Sequence, residues 1–275
     1  MTHPIPRSLL YCSALHPEQY AKSALTDVMV IDLEDGVPLA RKAEARLCVE
    51  QFYRSPTAQR TALRINPLRD NQGLLDLLLV QSLEQRPEYI VLAMTEAAAE
   101  IDVVRANVGG QGGSPKILVT VETPACLRDI YAIASSADGL IFGSADYAAS
   151  LGVPIGGWSN ILHARASIVA AASAAGIPAF DTAYFNLDDD AGLLKECQDT
   201  RELGFSGKTS IHPRQISIIN EAFTPSIAEY EHALAVVQAA QDSGEKITRL
   251  KHLMVGPPFV KQARKVIQRA QELGL

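Results

Sequence analysis

Acids and bases stand at the ends of short apolar runs in this chain, and their types suit the handling of a small oxo acid with a metal ion. VMVIDLE ends in Asp32-Leu33-Glu34 with Asp35 following, TALRINP carries Arg64 and Asn66, and KILVTVET leads to Glu122. GLIFGSA runs on to Asp146, IPAFDTA carries Asp181, and GKTSIHP reaches His212. Side chains alternate along a strand, so Asp32 and Glu34 share a face. Acids that converge on one place repel unless a cation or an arginine neutralises them. All-oxygen carboxylate ligation suits hard Mg²⁺, which keeps positions open for water or substrate. Glu122, Asp146 and the Arg64 guanidinium are the parts needed to chelate a 2-oxo acid and grip its carboxylate. Taken singly, each acid reads equally well as a helix cap or a solvated loop residue, and Glu122 before Thr123-Pro124 suits a cap region. The joint pattern across several runs points to a site.

The elements that would position these residues follow a regular plan. Eight β-rich runs, at 7–12, 28–34, 61–67, 89–94, 116–123, 139–145, 177–183 and 207–213, alternate with helical stretches. Those stretches lie at 17–25, 39–54, 71–86, 96–107, 124–135, 159–175 and 188–203, with another after Pro213. Alternation of this kind predicts a parallel sheet, and eight units predict an α/β fold, the closed (β/α)8 TIM barrel, with its site at the C-terminal ends of the strands. An open doubly wound sheet is the alternative, but SALHPEQY follows the first strand where a glycine fingerprint would stand. Residues 1–223 complete the barrel. Residues 224–275 form a C-terminal helical extension, with helical stretches at 225–243 and 257–273 around Val255-Gly256-Pro257-Pro258, read as a lid or oligomer arm. Glycines at 109–113 and 152–157 mark loops.

Bulk properties narrow the class. A net charge of −6 does not favour nucleic acid or an anionic membrane surface, though local Arg and Lys can still hold a phosphate. Cys12, Cys48, Cys126 and Cys197 are widely spaced and read as reduced thiols. The start MTHPIPRSLLYC lacks a signal-peptide layout, and no apolar run is long enough to span a bilayer, so a soluble, cytoplasmic protein is expected.

RSLLYC, PEQYAKSA, VIDLEDGV followed by RKAEAR, LRINP, VETPACL, FGSADYAASLG and GFSGKTSIHPRQI leading to NEAFTPS occur in this order. In them the chain resembles the citrate lyase β-subunit-like branch of the HpcH/HpaI aldolase superfamily, from Arg7 to about Ala270. The resemblance implies a TIM-barrel lyase that uses Mg²⁺ on Glu122 and Asp146, with Arg64 at the substrate carboxylate. It places Glu34 and Asp35 in the acidic motif that supports proton transfer, and Arg7, Lys22 and Lys208 near coenzyme A. His212 reads as a buried turn imidazole.

Two departures stand out. Cys12-Ser13-Ala14 replaces the VPG that usually follows the first strand, and Met254-Val255-Gly256 carries glycine where many relatives place an acid. The expected activity is cleavage of (3S)-citramalyl-CoA to acetyl-CoA and pyruvate by a homo-oligomer, a trimer by resemblance. Malyl-CoA or citryl-CoA lyase, an aldolase on free hydroxy-oxo acids, and a non-catalytic CoA-binding subunit are the alternatives.

Overall fold

The computed structural model describes residues 3–109, 114–244 and 247–275. The side chains of Lys22 and Leu253, and the glycines expected in a loop at 110–113, lie outside the described residues. Eight parallel strands, β1 (Ser8–Ser13), β2 (Val28–Asp32), β3 (Thr61–Ile65), β4 (Tyr89–Leu92), β5 (Lys116–Val121), β6 (Gly139–Phe142), β7 (Ala179–Asp181) and β8 (Gly207–Ser210), close in chain order. Closure pairs β1 with β8, Leu9 opposite Thr209.

The helices on the barrel are α1 (Lys42–Tyr53), α2 (Asn71–Ser82), α3 (Ala98–Val108), α4 (Pro124–Arg128), α5 (Ile130–Ser136), α6 (Ser144–Leu151), α7 (Leu162–Ala175), α8 (Asp190–Leu203) and α9 (Ile216–Ala222). The stretch expected to be helical after β1 is a 3₁₀ turn, Pro17–Ser23. The one expected at 124–135 is broken at Asp129 into α4 and α5. Gly176 and Gly204, at φ +71° and +111°, end α7 and α8 in the left-handed conformation that lets the chain turn back into β7 and β8.

Strand alternation decides what fills the barrel. Leu9, Val28, Val30, Ala62, Tyr89, Val91, Leu118, Ile141 and Phe180 form one buried cluster drawn from seven strands. They are the inward-facing residues of a packed layer. Residues two further along each strand face the same way, one storey nearer the C-terminal mouth.

The described residues divide into two compact units, 6–220 and a second made of 221–275 with 3–5. The second holds α10 (Ile227–Asp242), the antiparallel hairpin of β9 (Thr248–Leu250) and β10 (Leu253–Val255), which the pattern did not predict, and α11 (Pro257–Glu272). Ser226 and Glu229 cap α10 reciprocally. Ala233, Val236, Val255 and Ala263 make a small core of its own. Among the described residues no helix is long and apolar enough to cross a membrane.

Candidate active site

The storey above the apolar layer is polar. Tyr11, Asp32, Arg64, Thr120 and Thr182 each lie two positions beyond a member of the buried cluster and Glu122 four beyond Leu118, and all line one cavity of about 200 Å³ with Asp146 and Thr209. Parallel strands carry both an apolar layer and the site in a single run, so the switch from Val, Leu and Phe to Asp, Arg, Glu and Thr marks where packing stops and chemistry starts.

Arg64 is the cation of this cavity. Its Nε donates to Asp32 Oδ1 and its Nη2 to Asp32 Oδ2, both at 2.7 Å. Its Nη1 lies 2.9 Å from Glu34 Oε2, an ion pair without hydrogen-bond alignment. The guanidinium carbon stands 4.8 Å from the centre of the Tyr11 ring. Burial works against the charge on Arg64, but Asp32 and Glu34 outweigh it and hold the pKa well above the usual value. Asp32 is thus a residue the sequence placed at the mouth without a role. It also accepts from the backbone of Glu34 and Gly36, which folds the acidic loop round it. Lys42 ties that loop down from α1, donating to Leu33 O and Glu34 O at 2.7 Å and to Asn66 Oδ1 at 2.6 Å. Asn66 in turn rests on buried Asp76, which Arg46 neutralises.

Glu122 stands across the mouth with 4% of its surface exposed. Thr123, not Glu122, caps α4, through the Cys126 amide at 3.0 Å, so the glutamate is left for the cavity. The Met94 amide donates to Glu122 Oε1, and Met94 holds φ +53°, a left-handed conformation uncommon for a residue with a side chain. Gly143 lets β6 pass close by: a Cβ there would meet Glu122 Cβ at 2.6 Å and Oε2 at 2.8 Å. Burial, against the Met94 amide and with the charges of Glu34 and Asp146, pushes the Glu122 carboxyl up to about 8. Burial and then Asp35 raise Asp146, which stands in the first turn of α6.

This side of the cavity is short of positive charge, and its donors are carboxylate oxygens. Among the described residues no group of three or more His, Cys, Asp or Glu is placed to hold a metal. Two carboxylates beside an open cavity fit a hard cation whose other ligands are water and substrate.

Other residues fall elsewhere than expected. Glu34 and Asp35 do not line the cavity: Glu34 backs Arg64, with burial raising its carboxyl, and Asp35 is exposed on the rim. Lys208 does not line the cavity. It alternates with inward-facing Thr209, so it points away from the mouth and is fully buried, donating to Asp181 Oδ2 and Glu196 Oε1, each at 2.6 Å. Arg165 of α7 completes this cluster through Asp181 Oδ1 at 2.9 Å. Burial pushes the Asp181 carboxyl up, but Lys208 and Arg165 more than offset it and hold it below its usual range. Arg7 precedes β1, at the end of the barrel opposite the mouth, and forks onto Asp27 at 2.7 and 2.9 Å. Lys22 falls in the 3₁₀ turn, with its side chain outside the described residues. His212 is exposed, not buried, and its Nδ1 caps the turn at Arg214 N. Burial raises the thiols of Cys126 and Cys197 to about 12, which removes them as nucleophiles. Lys208→Met should cost roughly 3–5 kcal/mol by stranding Asp181 and Glu196. It should leave KM for a CoA ester unchanged; a raised KM at unchanged melting temperature would return Lys208 to the ligand.

Comparison with known proteins agrees over nearly the whole length. The chain is 33% identical to the citrate lyase subunit beta of Haemophilus influenzae, over 96% of this chain and 97% of that one. It is 29% identical to the mitochondrial citramalyl-CoA lyase of Mus musculus, over 97% and 86%. The solved structure of the protein CitE from Mycobacterium tuberculosis in complex with magnesium, acetoacetate and coenzyme A superposes with a TM-score of 0.83 at 28% identity, over 96% and 98%. Residues 162–275 match the C-C bond lyases of the TIM-barrel fold. Residues 7–213 match the HpcH/HpaI aldolase/citrate lyase family, and with these relatives the chain belongs to that family of carbon–carbon lyases.

Proposed function

We propose that this chain is a Mg²⁺-dependent acyl-CoA lyase that cleaves (3S)-citramalyl-CoA to acetyl-CoA and pyruvate. The observation that carries the reading is Arg64 facing Glu122 and Asp146 across a cavity of about 200 Å³, large enough for a small oxo acid. Glu122 and Asp146 would hold the metal, which when bound polarises the oxygen of the departing oxo acid. Arg64 has five N–H donors; Asp32 takes two and Glu34 lies 2.9 Å from Nη1, which leaves an edge that can meet the substrate carboxylate. Asp32 and Glu34 act as positioning residues for that guanidinium. Among the described residues Arg64 is the single cation on the wall, beside three carboxylates, Asp32, Glu122 and Asp146. A substrate fragment with one carboxylate, as in pyruvate, suits that balance; the second carboxylate of a citryl group would add repulsion.

The test is a product assay on citramalyl-, malyl- and citryl-CoA with purified protein. Acetyl-CoA and pyruvate should appear from citramalyl-CoA, stop in excess EDTA and resume with added Mg²⁺. Full activity in EDTA would sink the metal, and faster turnover of another ester would replace the substrate.

The unit at 221–275 we read as a lid and oligomer arm of a homotrimer. Its separate core and the capped start of α10 support this reading. Gly256 opens α11 without an acid, so the unit would act by covering and packing. Deleting the chain after Thr224 should leave a folded barrel with a smaller mass by light scattering and much weaker cleavage. An active truncation of wild-type mass would remove both roles.

A further inference from the structure

The loop between β3 and α2 reaches the loop that follows β4. Asp70 caps α2 by accepting from the amides of Gln72 and Gly73, at 2.7 and 3.0 Å, which fixes the chain at Arg69 beside it. Arg69 makes two contacts with the β4 loop. Its Nη1 lies 3.1 Å from Glu96, and its Nη2 donates to the carbonyl oxygen of Met94. Met94 is therefore held at both backbone groups, the carbonyl by Arg69 and the amide by Glu122 Oε1. It is one of two residues other than glycine with positive φ among the described residues. That conformation crowds a Cβ against the backbone and persists only where the surroundings impose it. Glu100 of α3 anchors the far side of the loop through the amides of Glu96 and Ala97, at 2.8 and 3.2 Å, and does not touch Met94. The ion pair of Arg69 with Glu96 contributes little, because the two side chains are 47% and 36% exposed. The carbonyl contact is the one with a structural consequence.

We propose that Arg69 is a positioning residue for the metal site: by holding the Met94 carbonyl it keeps Met94 left-handed, and so keeps the Met94 amide on Glu122. The proposal rests on the reading of Glu122 as a ligand of Mg²⁺. An amide on one carboxylate oxygen fixes the posture of the group and leaves lone pairs for a cation. Without Arg69, Met94 can relax to negative φ, which turns its amide away from Oε1. Glu122 is then free to rotate, and a cation must order it on binding. Charge and posture predict opposite signs for this loss. Removing a nearby positive charge relieves repulsion and on that ground tightens Mg²⁺ binding. Losing the posture weakens it.

The experiment titrates the full, metal-free chain with Mg²⁺ alone by calorimetry, with the melting temperature as a check on the fold. Arg69→Met keeps the stem and removes the donors. It should raise the Kd for Mg²⁺ at least about tenfold, the low end of what the partners of a metal ligand control, and move the metal-free melting temperature only slightly. Arg69→Lys still carries a donor for the carbonyl and should stay within about threefold of wild type. Glycine takes positive φ without strain, so Met94→Gly added to Arg69→Met should bring the Kd back to within about threefold. An unchanged or lower Kd in Arg69→Met overturns the proposal and spares Glu122 as a ligand. Weaker binding that Met94→Gly fails to restore overturns it as well, because Arg69 would then act by a route other than Met94. If the wild type takes up no Mg²⁺, the metal reading fails and the role of Arg69 falls with it.

Discussion

Glu122→Gln should abolish turnover and leave a barrel that, without metal, resists heat better than the wild type. The loss should be roughly a thousandfold or more, because a catalytic metal contributes several kcal/mol and each 1.36 kcal/mol is tenfold in rate. The stability effect follows from the carboxyl at about 8, above the usual value of 4.5. Between those values the folded chain keeps a proton that the unfolded chain has released, so metal-free stability falls as pH rises through that window. The Gln variant has no such proton, and its advantage should grow from acid pH to about pH 8 and then level off. Added Mg²⁺ should raise the melting temperature of the wild type most at the alkaline end and leave the variant unmoved. Calorimetry across pH, with and without Mg²⁺, checks this. A variant with wild-type turnover, or one that still responds to Mg²⁺, would remove Glu122 from the metal site.

Arg64→Lys should lower kcat/KM by roughly a hundred- to a thousandfold, the scale of one lost donor in a preorganised site. Lysine keeps the charge but cannot reproduce the two parallel bonds to Asp32, and a point charge on a flexible stem leaves Glu34 and Tyr11 without their planar partner. The variant should also melt lower, since Asp32 is 4% exposed and loses its fork. Asp32→Asn separates the two effects: it keeps Arg64 but frees its edge, so KM for the substrate should change while Mg²⁺ affinity holds. Near-normal turnover in Arg64→Lys would reduce the arginine to bulk charge.

Much of this arrangement was legible before any coordinates. Eight apolar runs with polar ends locate the barrel and put Arg64, Glu122 and Asp146 at its mouth, since the chemistry of a parallel barrel lies at strand ends. What the runs hide is which way a side chain faces. GKTS is buried on both sides, so its hydropathy carries no period, and Lys208 could be told from Thr209 only through the pairing with Leu9. The same silence made Asp181 look like a mouth residue beside Thr182. Arg7 misled because it sits at the start of its strand, the end opposite the mouth. Lys42 and Asp32 escaped assignment because their partners lie on other elements, as with Lys42 and Asn66, 24 positions apart. The left-handed turn at Met94 has no signal in its residue type at all.

Gly143 has a meaning for how this chain can drift. Any other residue would set a Cβ within 2.6 Å of Glu122 and 2.9 Å of Thr120, at the end of the neighbouring strand β5. Every amino acid other than glycine brings that carbon, so no replacement fits here without displacing the carboxylate of the site. A replacement at Gly143 would unseat Glu122 while Asp146 and Arg64 still stand in place, so one acid of the site depends on a neighbour with no side chain of its own.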